Sequence, residues 1–330
     1  MKKTWARWLT DIWYKDAVLG IMLLPFAYVF LDIVRLRRFL YRIGILKAHT
    51  LPVPVIVVGN ITVGGTGKTP LVIWLAQLLK KSGYKPGIIS RGYGGESDIW
   101  PQIVNVDSDA NKVGDEALLI AKQTQLPVVV GPERVEAAKM LLAEFDCNVL
   151  LSDDGLQHYK LNRTIEIAVI DGERRFGNGY CLPAGPLREP IERLSSVDFV
   201  VVNGDKYADH EFSMRLVGDI AVNIVSGEQK PLHAFQGIDC HALAGIGNPE
   251  RFFNLLKANG LSCRTASFTD HHPFERSDIE FGDHKPVLMT EKDAVKCTRF
   301  AGHQHWYVPV TAHPEPTFGQ QFLDLFKERA

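Results

Sequence analysis

The glycine-rich string TVGGTGKT, Thr62–Thr69, is compatible with few folds because of the two segments that flank it. It follows an apolar run rich in β-branched residues, Val53–Gly59, and it leads into a segment with helical spacing of apolar residues, Thr69–Gly83. Glycines in such a loop let backbone N–H groups turn towards a phosphate, and the helix N-terminus adds a partial positive charge. The sequence therefore predicts a P-loop, a phosphate-binding loop between a strand and a helix.

The whole loop is predicted to bind the nucleotide. Its residues are Thr62, Val63, Gly64, Gly65, Thr66, Gly67, Lys68 and Thr69. Lys68 is predicted to reach the β- and γ-phosphates and to act in catalysis, and the Thr69 hydroxyl is predicted to bind Mg²⁺. Thr62 stands where the GxxxxGK[ST] pattern has glycine, so the match to that pattern is imperfect.

Two adjacent carboxylates close another apolar run, in the string LLSDDGLQHY, Leu150–Tyr159. Acidic residues at the carboxyl end of a parallel strand lie beside the phosphate loop and can bind a metal ion directly or through water. We therefore predict Asp153 and Asp154 as ligands of Mg²⁺, and the spacing does not distinguish which of them contacts the metal directly. The alternative interpretation is a turn, in which Asp-Gly pairs are common.

The nucleotide is predicted to be ATP because two motifs of GTPases are missing. A DxxG turn ending at Gly155 would need Asp at the position of Ser152. The guanine-reading motif [NT]KxD is replaced by TEKD at Thr290–Asp293, with Glu and Lys in the wrong order. Partitioning and division-site ATPases carry an additional Lys where this chain has Val63. A membrane-associated ATPase of that type, without a small-molecule acceptor, is the alternative function.

Apolar runs with the composition of buried strands alternate with helical segments up to about residue 205. This order predicts an α/β fold in which helices cover both faces of a parallel sheet. A second, shorter set begins after residue 206, with a strand at His241–Gly247 and a closing helix from Thr317. We predict an N-terminal helical segment over residues 1–48, a P-loop domain over 49–205, and a smaller α/β domain over 206–330 that closes over the site.

Charge is distributed unevenly along the chain. Lys and Arg number 37 and Asp and Glu 38, so the net charge of -1 excludes a global basic field for nucleic acid. Residues 1–48 contain four Lys, five Arg and three Asp, which gives +6. The five cysteines are odd in number and include no CxxC pair, which argues against a disulfide framework or a zinc ribbon.

The basic N-terminus encloses an apolar run, Ala17–Leu31, which Asp32 and four arginines follow. A membrane-spanning helix needs about 20 apolar residues, and a signal peptide would not carry these charges. We therefore predict a membrane-associated helix in the interface, with Arg35, Arg37, Arg38 and Arg42 on anionic lipid. The aromatic side chains expected at headgroup depth are Trp5, Trp8, Trp13, Tyr14 and Tyr28. The alternative is a buried core helix with a solvated basic flank.

Seven strings occur in order along the chain: TVGGTGKTP, SRGYGG, VGDEALLIA, DDGLQH, FGNGYCLPAGPLREP, FTDHHPF and TEKDAVK. This series resembles the tetraacyldisaccharide 4′-kinase family of the lipid A pathway, and the similarity covers nearly the whole chain. The family also has Thr at the start of its phosphate loop, so Thr62 agrees with the resemblance.

The resemblance implies a reaction and a location. The reaction is transfer of the γ-phosphoryl group of ATP to the 4′-hydroxyl of a tetraacylated glucosamine disaccharide 1-phosphate, which gives lipid IVA. The location is the cytoplasmic face of the bacterial inner membrane, as a peripheral or monotopic protein. The P-loop domain is then a kinase domain, and neither nucleic acid nor an obligate protein partner is expected.

The resemblance also implies four further site residues. Asp115 in VGDE resembles the catalytic base, and His271 in DHH resembles its partner from the second domain. The alternative role for Asp115 is capping of a helix N-terminus. Arg188 is expected to bind phosphate through its guanidinium and Glu189 to help hold the metal, with a surface ion pair as the alternative.

Overall fold

The computed structural model describes residues 12–14 and 20–330. Over these residues the strands form two sheets, one of nine strands and one of six. The predictions for Trp5, Trp8 and residues 17–19 lie outside the described part of the chain.

The large sheet is mostly parallel. Its strands are β1 Val55–Gly59, β2 Pro86–Ser90, β3 Gln102–Ile103, β4 Val128–Val130, β5 Val149–Asp153, β6 Ile165–Asp171, β7 Phe199–Asn203, β8 Glu211–Val217 and β15 Thr311–Pro314. They lie in the order β15-β8-β7-β6-β1-β5-β2-β4-β3, and the edge strands β3 and β15 are antiparallel to their neighbours. The apolar runs that predicted buried strands thus lie in the middle of a parallel sheet, as strands covered on both faces do.

Helices cover both faces of this sheet. The described helices of both units are α1 Leu24–Arg42, α2 Lys68–Lys81, α3 Ala110–Val113, α4 Asp115–Thr124, α5 Arg134–Glu144, α6 Pro249–Ala258, α7 Arg276–Ile279, α8 Glu291–Cys297 and α9 Pro316–Arg329, with short 3₁₀ helices at Ile191–Ser196 and Leu232–Phe235. Successive side chains of a strand point to opposite faces. Val55 and Val57 accordingly pack with α5, whereas Ile56 and Val58 pack with α2, α4 and α9. The predicted α/β architecture is confirmed.

The small sheet forms the second α/β unit. Its strands are β9 Ile220–Asn223, β10 Gln229–Pro231, β11 Cys240–Ala244, β12 Cys263–Ser267, β13 Val287–Thr290 and β14 His305–Val308. They lie in the order β10-β9-β14-β13-β11-β12, with β11 to β14 parallel. Phe252 and Leu256 of α6 pack against Leu288 and Trp306, so this unit has a hydrophobic core of its own.

The pairing of strands does not follow the predicted division at residue 205. Strands β8 and β15, both beyond that residue, pair with each other in the large sheet. Helix α9 also returns to the large sheet, where Phe318, Phe322 and Phe326 are buried in the core. The chain therefore leaves the first unit after β8 and re-enters it with β15. β8 and β15 are joined by backbone hydrogen bonds, which leave little trace in the side-chain pattern.

Helix α1 packs on the first unit through one side only. Within Leu24–Arg42, all of it described, only Ala27 is buried, and Phe30 and Leu31 contact Ile61 and Leu187. The opposite side exposes a row of large apolar side chains with relative exposures of 57–65%, namely Phe26, Val29, Ile33 and Leu36. The alternative of a buried core helix is therefore wrong.

Two of the aromatic side chains expected at headgroup depth face the protein instead. Trp13 is buried, and its indole Nε1 donates to the Pro183 carbonyl at 3.0 Å. Tyr14 is half-buried, with the Arg174 guanidinium 5.4 Å from its ring centroid. Tyr28, in contrast, is 58% exposed on α1. Neighbouring loops supply the partners of Trp13 and Tyr14, and these contacts are not visible in a local sequence pattern.

Candidate active site

The predicted phosphate loop connects β1 to α2, which begins at Lys68. Gly67 precedes the helix with φ +94°, and a Cβ there would lie 2.5 Å from Asn203 Nδ2, so this position requires glycine. The Asn203 amide in turn donates to the Thr66 carbonyl at 3.1 Å. Asn203 is the last residue of β7, which is separated from β1 by β6, so a more distant strand of the sheet holds the loop in shape.

Lys68 and Arg188 share one carboxylate beside this loop. Lys68 Nζ lies 3.4 Å from Asp154 Oδ1, and Arg188 Nη1 lies 3.0 Å from Asp154 Oδ2. Burial alone would raise the pKa of Asp154, but the charges of Lys68 and Arg188 lower this pKa well below its ordinary value. The backbone N–H of Arg188 donates to the Ile61 carbonyl at 2.7 Å, which anchors the arginine next to the loop. Two cationic side chains therefore converge where phosphate oxygens are predicted to bind.

Asp153, the last residue of β5, has a different environment. It is buried, and its Oδ2 lies 3.4 Å from the Ser90 hydroxyl, whereas its Oδ1 has no hydrogen-bond partner among the described residues. Burial, followed by the charges of Glu116 and Asp154, raises the pKa of Asp153 above its ordinary value. A buried carboxylate with an unpartnered oxygen and acidic neighbours is a fitting ligand for a divalent cation.

Glu189 has partners other than those predicted. Its Oε1 accepts a hydrogen bond from the Tyr159 hydroxyl at 2.7 Å, and its Oε2 lies 3.0 Å from Arg193 Nε. Both Glu189 and Arg193 are almost completely buried, so the pair is also not the surface ion pair of the alternative interpretation. Because Arg193 already neutralises Glu189, the structure does not support the prediction that this carboxylate holds a metal.

Asp115 and His271 meet although 156 residues separate them. Asp115 is buried as the first residue of α4, and His271 lies in the loop after β12. His271 Nδ1 lies 3.1 and 3.2 Å from the two carboxylate oxygens of Asp115. The residue in the N-cap position of α4 is Gly114, so Asp115 is not the cap of this helix. The contact joins the first unit to the second, as expected for a base and its partner.

The phosphate loop lines a cavity with a volume of about 620 Å³, and residues that adjoin the Asp115–His271 pair line the same cavity. Loop residues Gly65–Pro70 line it, as do Glu116, which follows Asp115, and Lys292, whose Nζ lies 3.3 Å from His271 Nε2. Gly247 of the second unit touches the loop so closely that a Cβ on it would lie 2.3 Å from the Gly65 nitrogen. The two units thus enclose a space between the glycine-rich loop and the residues that adjoin the Asp115–His271 pair.

Known proteins share this chain's sequence along most of its length. Residues 19–327 match the family model described as tetraacyldisaccharide-1-P 4′-kinase. A tetraacyldisaccharide 4′-kinase of Nitrosococcus oceani is 53% identical over 318 residues, which cover 96% of this chain and 94% of that protein. A tetraacyldisaccharide 4′-kinase of Methylobacillus flagellatus is 48% identical over 325 residues, which cover 98% of this chain and 97% of that protein. The chain belongs to the tetraacyldisaccharide 4′-kinase family.

A solved structure supports the same assignment. The crystal structure of the "apo" form of LpxK from Aquifex aeolicus in complex with ATP is similar to this chain, with a TM-score of 0.79 and 30% identity. The similarity covers 94% of this chain and all of that one. The resemblance drawn from the seven strings is therefore confirmed, and the protein is a kinase. The alternative function, an ATPase of the division-site type, is not favoured.

For this member of the tetraacyldisaccharide 4′-kinase family, sequence reasoning missed the cations around the Asp115–His271 pair. Lys292 and Lys296 stand four residues apart in TEKDAVK, a spacing that puts both on one face of a helix. The four-residue spacing was the signal in the sequence that these two lysines act together. It did not reveal the partners of the lysines, because Asp115 and Glu116 lie about 180 residues earlier in the chain.

Proposed function

We propose that this protein transfers the γ-phosphoryl group of ATP to the 4′-hydroxyl of a tetraacylated glucosamine disaccharide 1-phosphate, which gives lipid IVA. The observation that carries the proposal is that one cavity is lined by the phosphate loop and by Glu116 and Lys292, which adjoin the Asp115–His271 pair. Phosphoryl transfer to an alcohol needs both elements, one for the phosphates of the donor and one for the proton of the acceptor. Membership of the family supplies the acceptor class.

The phosphate loop would bind the phosphates of ATP through its backbone N–H groups, and Lys68 and Arg188 would add positive charge. In the structure both side chains pair with Asp154, which holds their positive charges beside the loop. Charge that develops on the transferring group would be stabilised by these preorganised cations. The apolar part of the cavity, which includes Leu216, Val217 and Val308, suits the adenine ring.

Residues suited to Mg²⁺ lie at the same edge of the sheet. We assign the direct carboxylate contact to Asp153, whose Oδ1 is buried without a partner, and an oxygen contact to the Thr69 hydroxyl. Asp154 is tied to two cations and suits a role in holding Lys68 and Arg188. Bound Mg²⁺ would neutralise charge on the phosphates of ATP.

Asp115 would accept the proton of the acceptor hydroxyl as that oxygen attacks phosphorus. Burial alone would raise the pKa of Asp115. The hydrogen bond with His271 and the charges of Lys292 and Lys296 instead lower this pKa well below its ordinary value. The carboxylate is therefore ionised at neutral pH and able to accept a proton. His271 would keep its orientation through the contact with Nδ1.

Helix α1 would bind the membrane surface and bring the enzyme to its acylated substrate. Its outward row of apolar side chains has no protein partner in the described residues, and Arg35, Arg37 and Arg42 are exposed beside it. An apolar face with basic flanks is typical of helices that lie in the interface of anionic bilayers. Among residues 12–14 and 20–330, no helix is both long enough and apolar enough to span a bilayer.

Replacing Val29 and Ile33 together by serine is expected to weaken binding to vesicles of anionic phospholipid by roughly 10- to 100-fold. Each of these side chains is about 60% exposed, so its removal costs membrane contact and little core packing. Vesicle co-sedimentation measures the effect. The control pair is Val225→Ser and Ile238→Ser, at 50% and 46% exposure in the second unit. Equal binding of both double variants would exclude α1 as the membrane contact.

The proposed activity is tested directly by phosphate transfer from γ-labelled ATP to the disaccharide acceptor in detergent micelles. We expect a labelled lipid product that forms only when the acceptor has a free 4′-hydroxyl. An acceptor in which this hydroxyl is replaced by hydrogen should give no labelled lipid. Release of labelled phosphate at the same rate with both acceptors would indicate an ATPase and overturn the proposal.

A further inference from the structure

Helix α8 carries two lysines that point at the Asp115–His271 pair from the second unit. Lys292 Nζ lies 3.3 Å from His271 Nε2, 2.9 Å from Glu116 Oε1 and 3.0 Å from Asp270 Oδ1. Its side chain is 14% exposed. Lys292 therefore contacts both the histidine and the acidic first turn of α4.

Lys296 contacts the other member of the pair. Its Nζ lies 3.5 Å from Asp115 Oδ2 and 3.0 Å from Asp293 Oδ1, and its side chain is 9% exposed. Asp293 is completely buried, and its Oδ2 accepts hydrogen bonds from the Gly245 backbone N–H at 2.8 Å and from the Thr290 hydroxyl at 2.7 Å. The position of Lys296 is thus fixed by a buried carboxylate that the backbone of its own unit holds in place.

These contacts determine which nitrogen of neutral His271 carries the proton. A lysine ammonium has hydrogen-bond donors and no acceptor, so His271 Nε2 must accept from Lys292. The proton of the neutral imidazole is then on Nδ1, which faces Asp115. Lys292 remains charged. Burial alone would lower the pKa of Lys292, but the surrounding carboxylates raise this pKa well above its ordinary value.

We propose that Lys292 and Lys296 are positioning residues of the phosphoryl-transfer site, Lys292 by orienting His271 through Nε2 and Lys296 by holding the second carboxylate oxygen of Asp115. The proposal rests on the proposed function, in which Asp115 is the base. Because both lysines belong to the second unit and Asp115 to the first, the base acquires its complete set of partners only when the two units are in contact.

The test is steady-state kinetics of the full-length enzyme with Lys292→Met and Lys296→Met. Each is expected to lower kcat by about 10- to 100-fold while KM for ATP stays within about twofold, since neither lysine contacts the phosphate loop. Lys285→Met is the matched control, because Lys285 forms an ion pair with Asp239 at 2.9 Å on the surface of the same unit. The control should retain wild-type kcat.

Two readouts separate positioning from a merely structural role. In a His271→Ala background, Lys292→Met should lower kcat by less than about twofold further, because a residue that acts through His271 has little effect once the histidine is gone. In the single variant, the acid limb of the pH–kcat profile should move to higher pH, because the charge of Lys292 lowers the pKa of His271. The other groups that face His271 are Asp115, Asp270 and the ring of Tyr93, and all of them remain.

Lys292→Arg and Lys296→Arg cover the case in which a methionine variant does not fold. Each keeps the charge at a shifted position and should show the same pattern with a smaller loss of kcat. Wild-type kcat in all lysine variants, or a loss that multiplies in the His271→Ala background, would overturn the inference. A failure of the proposed function would be recognised by a different result. If Asp115 is not the base, Asp115→Asn retains its kcat, whatever the lysine variants show.

Discussion

Replacing Lys68 by methionine is expected to lower kcat by about 10³-fold or more. The side chain is only 10% exposed, and its ammonium lies beside the loop, 3.4 Å from Asp154. In the proposed function its charge stabilises the transferring phosphoryl group, and methionine has a similar length without that charge. The measurement is the rate of labelled-phosphate transfer at saturating ATP and acceptor.

Lys81→Met is the matched control for Lys68→Met. Lys81 is exposed at the last turn of the same helix, α2, so the substitution removes a charge from that helix without touching the loop. The control should keep wild-type kcat. Near-normal turnover of soluble, folded Lys68→Met enzyme would show that the nucleotide site has been assigned to the wrong loop.

Asp115→Asn and His271→Ala are each expected to lower kcat by about 10²- to 10⁴-fold. Asparagine has the shape of aspartate and cannot accept the proton, and alanine removes the group that orients the carboxylate. The affinity for ATP should stay nearly normal, because Asp115 and His271 contact each other, the two lysines, Asp270 and Tyr93, and none of these residues belongs to the phosphate loop. Turnover and ATP binding are measured separately, by transfer kinetics and by calorimetry.

The double variant distinguishes a functional pair from two independent residues. If Asp115 and His271 act as one unit, the double variant should be only slightly slower than the slower single variant. Multiplied losses would mean that His271 acts elsewhere, for example on the phosphate of the acceptor.

The pair should also set the response of activity to pH. Burial alone would lower the pKa of His271, but the hydrogen bond with Asp115 raises this pKa above its ordinary value of 6.5. Protonation adds a hydrogen to Nε2, which displaces the contact with Lys292. Activity should therefore fall as the pH drops through the His271 pKa, at a midpoint above 6.5, and His271→Ala should lack this acid limb. An acid limb that persists in His271→Ala would assign it to another group.

The phosphate loop and the buried strands around it were predictable because their determinants are local. Strand, glycine-rich loop and helix are consecutive in sequence, and Gly67 is required by a backbone angle that few other residues adopt. The apolar runs of β1, β2 and β5 are buried on both faces, so burial appears in the sequence as an uninterrupted pattern. For the same reason the metal-site candidates Asp153 and Asp154 could be placed at the carboxyl end of a strand.

The partners of these residues were decided by tertiary structure alone. The family resemblance placed Glu189 at the site, yet folding buries it against Arg193. The apolar pattern ended the first unit at residue 205, yet β15 and α9 return to that unit. The ammonium of Lys296 meets Asp115 only because helix α8 of one unit packs on helix α4 of the other. Side-chain periodicity reports whether a residue is buried. Which distant group it meets depends on how separately formed elements pair and pack, and that information is spread over the whole chain.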